Sequence, residues 1–269
     1  MGDDKRMEEW KHTFVICAYK ESRYLRECIE SLKHQTVASC IKLVTSTPND
    51  YITRLAEEYG LEVKVNPGEG GITQDWNWAY RQADTPYVTI AHQDDVYLPE
   101  YTSRMLAHVE NVKRPLIYFT DYQELRNGEV CKSNQLLRIK RLMLFPLKPR
   151  CFWKSKWVRR RILSMGSPIC CPSVCYTRAN LPDVIFENHF RSCEDWEAWE
   201  MLSRLKGSFV YDSAPLVYHR IHEESETSAI IGDNKRSDEE YVMYCKFWPK
   251  WIAGMLVKAY AAGQKSNEL

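Results

Sequence analysis

Two adjacent carboxylates, Asp94 and Asp95, follow an apolar run at 87–91. Such a run is typical of a buried strand, and two neighbouring acids at its end repel each other. Because hard divalent cations prefer oxygen ligands, this pair could hold Mg²⁺ or Mn²⁺, and the cation could then bridge to a diphosphate. The simpler alternative is that both acids are turn residues leading into the next helix.

An acid and a histidine later in the chain offer further chemistry. Asp195 follows Glu194 at the start of a predicted helix, where a carboxylate could accept a proton. Because Ser192 lies three residues before Asp195, the same spacing fits a capping box, in which the acid serves only the helix. His222 could be a metal ligand or an ordinary surface histidine.

Composition indicates an ordinary globular protein. The chain has 269 residues, of which 44% are hydrophobic and 27% charged, enough for one large domain with an ample core. No apolar run reaches the roughly 18 residues needed to span a bilayer, and the charged N-terminus does not resemble a secretory signal. We therefore expect a cytoplasmic protein whose ten cysteines are reduced thiols.

The net charge of +1 conceals a strongly basic segment, because no Asp or Glu occurs from Val130 to Pro182. Within it, a basic arm at 130–165 interleaves Lys and Arg with leucines and aromatic residues. One interpretation is a helical arm packed on the sheet with a solvated charged face. The other is peripheral contact with the inner face of the cell membrane, where cations meet lipid phosphates and aromatic side chains enter the interface. The sequence leaves both open.

Hydrophobic periodicity predicts alternating strands and helices over the first half of the chain. Predicted strands cover 13–18, 41–45, 61–65, 86–91 and 116–120, and predicted helices cover 22–34, 50–59, 73–83 and 99–112. This order is typical of a parallel sheet covered by helices on both faces. In such sheets ligands bind beyond the carboxyl ends of the strands, which is where Asp94 and Asp95 stand.

The second half of the chain has a less regular pattern. It predicts a helix at 194–205, short strands at 209–211 and 216–218, and one long helix at 238–262. Since no segment has the composition of a linker, we interpret 1–232 as one domain that includes the basic arm. Residues 233–269 would be a C-terminal helical extension packed on it, and the Ser- and acid-rich loop 223–237 could close over a ligand.

Four motifs, matching in order and spacing, make the chain similar to the family 2 glycosyltransferases of the GT-A fold. Residues 15–21, VICAYKE, resemble the family's opening strand, V-I-P-x-Y-N-E, and Asn77, six residues before Ala83, resembles its A-R-N-x-G segment. Gln93-Asp94-Asp95 takes the place of the Asp-x-Asp motif. Glu194-Asp195 and then His222 stand where the family has its catalytic base and a late metal-ligand histidine. The resemblance covers roughly residues 12–230, and only the four motifs together make it specific.

The resemblance implies an α/β GT-A fold, with a mixed, mainly parallel sheet flanked by helices and a C-terminal helical extension. It implies inverting transfer of a sugar from a nucleotide diphosphate to an acceptor hydroxyl. Asp195 would be the catalytic base, and Asp95 with His222 would hold Mn²⁺ or Mg²⁺, with His219 as the weaker candidate. The remaining predicted site residues are Glu194 and Trp196 on the acceptor side and Ala18, Tyr19, Glu21, Thr45, Asp75, Asn77, Gln93 and Asp94 around the donor nucleotide.

The implied partners are a UDP- or dTDP-linked sugar and a saccharide or lipid-linked saccharide acceptor, with no nucleic acid. The implied setting is bacterial-type surface polysaccharide or glycolipid synthesis. Two departures weaken the match. Thr45 and its neighbours stand where the family commonly has an Asp that contacts the base, and Gln93 replaces the first Asp of Asp-x-Asp. Glutamine can still accept a hydrogen bond from ribose.

Two other functions stay open at this point. A metal-dependent nuclease or phosphodiesterase would use four converging acids and the basic arm on nucleic acid. Those acids would be Asp94, Asp95, Asp121 and Asp195. A non-catalytic nucleotide-sugar-binding relative would keep the fold alone, and the replaced motif residues favour it.

Overall fold

Strands and helices alternate along the first half of the chain, as the periodicity predicts. The structure is a computed structural model that describes residues 10–222 and 235–265. Its first elements are β1 (His12–Ala18), α1 (Leu25–Lys33), β2 (Cys40–Thr45), α2 (Asp50–Tyr59), β3 (Glu62–Val65), α3 (Ile72–Arg81), β4 (Tyr87–His92), β5 (Val96–Tyr97) and α4 (Tyr101–Val109). The apolar sequence of β1 suits its place, because the strand is covered on both faces.

The second half contains longer and less regular elements. They are β6 (Pro115–Arg126), β7 (Glu129–Cys131), α5 (Gln135–Leu144), α6 (Lys156–Leu163), β8 (Cys175–Thr177), α7 (Glu194–Ser203), β9 (Ser208–Ile221), α8 (Lys235–Cys245) and α9 (Lys250–Lys265). Short 3₁₀ turns at 145–147, 150–152, 171–173 and 178–180 connect some of them.

Two predicted elements in this half are wrong. The two short strands at 209–211 and 216–218 are parts of one strand, β9, because its pairing with β6 shifts register near Asp121 and then continues. The long helix at 238–262 is two helices, α8 and α9, on either side of a break that contains Pro249. Proline lacks the N–H that a continuous helix needs.

The strands form one mixed sheet in the order β3-β2-β1-β4-β8-β6-β9-β5, with β7 paired to β6. Pairing is parallel from β3 through β2 and β1 to β4, and again between β6 and β9. The short strand β8 runs antiparallel to both β4 and β6 and so joins the two parallel parts. A mainly parallel sheet with flanking helices confirms the predicted fold class.

Local signals explain why helix α2 begins and ends where it does. The Asn49 side-chain oxygen accepts a hydrogen bond from the Ile52 N–H at 2.9 Å, which caps the first turn. Gly60 ends the helix with φ 64°, a left-handed conformation that glycine adopts without steric cost. Both residues mark the helix in the sequence.

The C-terminal helices pack on the main body next to α6 and α7. Trp248 Nε1 donates to the Ser164 carbonyl oxygen at 2.7 Å, and Lys246 Nζ lies 2.7 Å from Glu197 Oε1. The predicted boundary at 232 and the predicted closing loop up to residue 234 lie outside the described residues. No helix in the described part of the chain is both long and apolar enough to cross a bilayer.

Candidate active site

The carboxyl ends of three parallel strands meet beside a cleft of about 770 Å³. The register pairs Ala18 with Thr45 and Cys17 with His92, so the segments after β1, β2 and β4 emerge side by side. We call this side the strand-end wall. A second part of the lining, the helix wall, consists of 166–167, 169–172 and the first turn of α7 with the residues before it, 191–196. A volume of this size suits a small-molecule ligand.

The structure brings most of the predicted site residues to this cleft. Those in its lining are Ala18, Tyr19, Asp75, Gln93, Asp94, Glu194, Asp195, Trp196 and His222. Four other predicted residues do not line it. Glu21 is exposed to solvent, whereas Thr45, Asn77 and Asp95 are buried behind the wall.

Two amides predicted to contact the donor are engaged by the protein backbone. Gln93 accepts a hydrogen bond from the Tyr19 N–H at 2.9 Å and donates to the Tyr19 carbonyl at 3.1 Å. Asn77 Nδ2 donates to the Phe186 carbonyl at 2.7 Å, and its oxygen accepts from the Ile185 and Phe186 N–H groups. Gln93 therefore fixes the exposed Tyr19 segment, and Asn77 ties α3 to the loop at 185–186.

A polar cluster around Asp75 lies between the ends of β2 and β3. Ser46 Oγ donates to one Asp75 oxygen at 2.6 Å, and Asn66 Nδ2 donates to the other at 2.8 Å. Ser46 and Asp75 both line the cleft. Ser46 is a site residue that the sequence reasoning missed, since it was noted only as a departure from the family's expected Asp.

Asp95 is fully buried, in contrast to its neighbour. Its Oδ1 accepts a hydrogen bond from the Arg220 N–H at 2.8 Å and lies 3.1 Å from His219 Nδ1. Burial alone would raise the pKa of the Asp95 carboxyl, but His219, His92 and the Arg220 N–H hold this pKa below its usual value. The carboxyl is therefore ionised although no solvent reaches it.

Asp94 is the acid of the pair that faces the cleft. Its Oδ2 lies 3.0 Å from His222 Nε2, and both side chains line the cleft wall. Arg220 Nε donates to the Asp94 carbonyl oxygen at 2.8 Å. The structure thus pairs His222 with Asp94 and pairs His219 with Asp95.

His92, Asp94 and Asp95 form a group with the composition of a metal site. One ligand atom from each lies within 4.8 Å of the other two. Asp95 Oδ2 and His92 Nε2 are buried and have no hydrogen-bond partner among the described residues. Burial of polar atoms without partners is costly, and an anionic oxygen beside a histidine nitrogen suits Mn²⁺ or Mg²⁺. The residues present therefore fit a divalent cation.

His92 was missed as a candidate ligand because it ends the apolar run of β4. Its ring stacks on Trp76 with centroids 5.1 Å apart and planes 17° apart. Burial lowers the pKa of His92, and the nearby acids Asp95, Asp94 and Asp195 oppose this shift only in part. A neutral imidazole is the form that binds a metal.

Asp195 stands in the first turn of α7, on the helix wall. Its Oδ2 accepts a hydrogen bond from Ser167 Oγ at 3.1 Å, and its Oδ1 accepts from the Trp196 N–H at 2.5 Å. The capping-box interpretation is wrong, because the N-cap is Cys193 and no side chain caps the helix. Asp195 is therefore held by Ser167 and its own turn, with its carboxyl at the cleft.

Glu239 of α8 fixes the segment that leads into this turn. Its carboxylate accepts hydrogen bonds from the Arg191 N–H at 2.9 Å, the Ser192 N–H at 2.8 Å and Ser192 Oγ at 2.5 Å. Ser192, the predicted cap, thus serves the contact with α8. No local pattern marks Glu239, since its partners lie 47 and 48 residues away in the chain.

Trp196 contributes mainly to packing. Its Nε1 donates to the Leu163 carbonyl at 2.9 Å, and its ring lies edge-on to Tyr244 with centroids 5.0 Å apart. The ring is almost completely buried, although part of the residue reaches the cleft. Glu194 is also buried and lines the same wall.

The acids required by the nuclease alternative do not converge. Asp121 Oδ2 accepts from Arg141 Nε at 2.7 Å, and its Oδ1 accepts from the Tyr122 N–H at 2.9 Å. Asp121 is outside the lining of the cleft that holds Asp94 and Asp195. Its ion pair with the basic arm is a sufficient structural role.

Sequence comparison agrees with this geometry. The profile described as Glycosyl transferase family 2 matches residues 13–165, more than half of the 269 residues. Among curated proteins, none matches the chain significantly.

Several solved structures share the fold. S. aureus TarS 1–349 in complex with UDP-GlcNAc has a TM-score of 0.62 and 18% identity, covering 92% of this chain and 70% of that one. A longer TarS structure is covered over 42% of its length. The mannosyltransferase PcManGT from Pyrobaculum calidifontis, in complex with GDP-Man and Mn²⁺, gives 0.60 and 13%, covering 95% and 70%. Glucosyl-3-phosphoglycerate synthase from Mycobacterium tuberculosis, with Mn²⁺ and UDP-Glc, gives 0.52 and 12%, covering 82% and 75%. At such identities the likeness concerns the fold.

Proposed function

Because the chain belongs to glycosyl transferase family 2, we propose that it transfers a sugar from a nucleoside diphosphate to an acceptor hydroxyl with inversion at the anomeric carbon. The observation that carries this proposal is that Asp195, on the helix wall, and the Asp94–His222 pair, on the strand-end wall, line the same cleft. A donor held at the strand-end wall would present its sugar toward the helix wall.

In the proposed reaction Asp195 is the general base. Its carboxylate takes the proton of the acceptor hydroxyl while that oxygen bonds to the anomeric carbon and the bond to the diphosphate breaks. The Ser167 hydroxyl orients the carboxyl through its hydrogen bond to Oδ2. The first turn of α7 is favourable for the ionised form, since the helix dipole stabilises a negative charge there.

His92, Asp94 and Asp95 would hold the divalent cation, with His222 and His219 bonded to the two acids. When bound, the cation offsets the negative charge that develops on the nucleoside diphosphate. This differs from the sequence-based hypothesis, in which Asp95 and His222 were the ligands. Asp95 remains a proposed ligand to the cation. Asp94, however, is the acid that faces the cleft, because Asp95 has no exposed surface.

For the donor we propose a UDP- or dTDP-linked sugar bound along the strand-end wall. Tyr19 offers an exposed ring for the base, and Ser46 with Asp75 offers hydrogen-bonding groups at the end of β2. Structures with the same fold bind UDP-GlcNAc, UDP-Glc and GDP-Man. For the acceptor we propose a saccharide or lipid-linked saccharide of a cell-surface polymer or glycolipid. We also propose that the enzyme acts in the cytoplasm.

A thermal-shift screen of nucleoside diphosphates with and without Mn²⁺, followed by a transfer assay, tests the proposal. A ligand at about 100 times its Kd stabilises the folded state by about 2.7 kcal/mol, so a correct nucleotide gives a clear rise in melting temperature. We expect UDP or dTDP to raise the melting temperature only when Mn²⁺ is present. The matching nucleotide sugar should be slowly hydrolysed in the absence of acceptor. Metal-dependent binding without any hydrolysis or transfer would instead favour the non-catalytic relative.

A further inference from the structure

Helix α5 presents a stripe of large apolar side chains to solvent. Ile139 and Leu142 of α5, and Phe145 of the 3₁₀ turn that directly continues it, follow one another at three-residue intervals and therefore share one face. Their exposed fractions are 48%, 74% and 60%. A surface helix in contact only with water normally turns such residues toward the core.

The same helix turns two of its cations toward the protein. Lys140 Nζ donates to the Tyr122 hydroxyl at 3.0 Å, and Arg141 Nε donates to Asp121 at 2.7 Å. The orientation of α5 is therefore fixed by specific polar contacts. The same contacts hold its apolar stripe toward solvent.

A second apolar cluster is formed by α6 and α9. Trp157 and Trp251 are each 69% exposed, and Met255 is 54% exposed. The Arg161 guanidinium lies over the Trp157 ring at 5.9 Å and over the Trp248 ring at 5.0 Å. These contacts place α6 beside the start of α9.

Met165 connects the two clusters. It is 47% exposed and follows α6. A Cβ placed on its neighbour Gly166 would lie 3.7 Å from Met143 Cε of α5, so the two segments are close, and the Tyr244 hydroxyl of α8 donates to the Met165 carbonyl at 3.3 Å. We name the combined surface the apolar face; it consists of Ile139, Leu142, Phe145, Trp157, Met165, Trp251 and Met255.

The charge around the apolar face has one sign. No Asp or Glu occurs in 130–182 or in 241–265. Both segments also carry exposed cations close in sequence to the apolar residues: Arg138, Lys148, Lys156, Arg161, Lys250 and Lys258. Large exposed apolar side chains interspersed with cations, without acids in the same segments, match the chemistry of an anionic bilayer surface, where the apolar side chains enter the interface and the cations meet phosphates.

We propose that the apolar face docks peripherally on membranes that contain anionic lipids. The contact uses α9 as well as the basic arm, so it extends beyond the segment that composition alone marks. Lys140, Gly166 and Ser167 line the cleft, which places the cleft beside the membrane. This inference names a partner surface for the proposed function, but its test measures binding and does not require transfer.

Vesicle sedimentation of the full chain tests the proposal. The probes are vesicles of phosphatidylglycerol mixed with phosphatidylcholine, and vesicles of phosphatidylcholine alone. We expect binding to the mixed vesicles that weakens with added salt, and far weaker binding to the neutral ones. Arg138→Gln and Lys156→Gln should each reduce the partition coefficient about fivefold. Trp157→Ala and Trp251→Ala should each reduce it about tenfold.

Matched controls come from the opposite end of the sheet. Val65→Ser and Arg54→Gln change an exposed apolar residue and an exposed cation there, and should bind vesicles as the unmodified chain does. All six variants change exposed side chains, so circular dichroism should show intact folds. Equal or negligible binding to both vesicle types would overturn the proposal. So would a dimer that Trp157→Ala and Trp251→Ala dissociate without any effect on vesicle binding.

Discussion

The two walls of the cleft are held in different ways. The strand-end wall follows from a parallel sheet, in which main-chain hydrogen bonds set the register of β1, β2 and β4. The helix wall depends on side-chain contacts between distant parts of the chain, among them Ser167 with Asp195 and Glu239 with the segment before α7. One wall is therefore a consequence of the fold, and the other depends on a few individual residues.

This difference predicts that substitutions in the two walls affect different steps. Groups proposed to bind the donor and the cation lie at strand ends whose positions are set by main-chain hydrogen bonds. The proposed base sits where single substitutions can move it by fractions of an ångström, and small displacements of a reacting group cost large factors in rate. Substitutions in the helix wall should lower transfer while donor binding is kept, and those in the strand-end wall should lower donor binding.

The largest expected effect is that of Asp195→Asn. The amide cannot accept the acceptor proton, so transfer should fall by about 10² to 10⁴. Melting temperature and metal-dependent donor affinity should stay near those of the unmodified chain, because asparagine keeps the Oδ1 that accepts the hydrogen bond from the Trp196 N–H. Calorimetric donor titration and a transfer assay on one preparation check both expectations. Glu194→Gln is the adjacent control, and if it alone abolished transfer the assignment of the base would move to Glu194.

The next effect separates the two neighbouring acids. Asp94→Asn should lower the Mn²⁺-dependent part of the donor affinity by about 10- to 100-fold and leave the melting temperature of the metal-free protein nearly unchanged. Asp95→Asn should lower both the Mn²⁺-dependent donor affinity and the melting temperature, because Asp95 is a fully buried charge hydrogen-bonded to His219 and to the Arg220 N–H of β9. Donor titration with and without Mn²⁺, together with thermal melts, measures them. Identical profiles for the two variants would show that the acids are equivalent.

The fold of the first half could be predicted from the sequence because its signals are local. The caps of α2, Asn49 and Gly60, directly flank the helix that they delimit, and the apolar face of α1 lies within that helix. β6 and β9 could not be predicted in the same way. Their long irregular pairing joins residues about 90 positions apart, and such contacts leave no short-range pattern.

The same division holds within the candidate site. The motif positions placed Asp94, Asp195 and His222 at one cleft, as the structure does. Which of two adjacent acids faces that cleft depends on a tight turn and on the backbone of Arg220, 125 residues away. No sequence motif marks Glu239 or Ser167, because each matters only through a partner that is distant in the sequence.

A smaller effect is expected for Glu239→Gln, which keeps one acceptor oxygen but removes the charge that three hydrogen bonds share. Charge-assisted bonds are worth about 1.5–3 kcal/mol, so loosening this clamp should lower kcat about tenfold. The donor KM should stay constant, since the strand-end wall is untouched. Asp238→Asn, at an exposed acid on the same helix, is the control. A rise in donor KM with unchanged kcat would contradict the independence of the two walls.

The last expected effect lies outside the cleft and concerns acid stability at the start of β1, the end of the strand away from the strand-end wall. Burial lowers the pKa of His12 to about 3, and its ring nitrogens each lie 2.9 Å from a hydroxyl, those of Ser39 and Thr89. The unfolded chain takes up this proton near pH 6.5, whereas the folded protein does so only near pH 3. The unfolded state therefore binds more protons between these values, and stability falls as pH is lowered, by about 1.4 kcal/mol per pH unit from this residue. His12→Gln should reduce the slope of unfolding free energy against pH in urea melts by that amount over the range where the protein stays folded. His34→Gln, at an exposed histidine, should follow the unmodified curve, and equal slopes for all three proteins would show that His12 does not control the acid response.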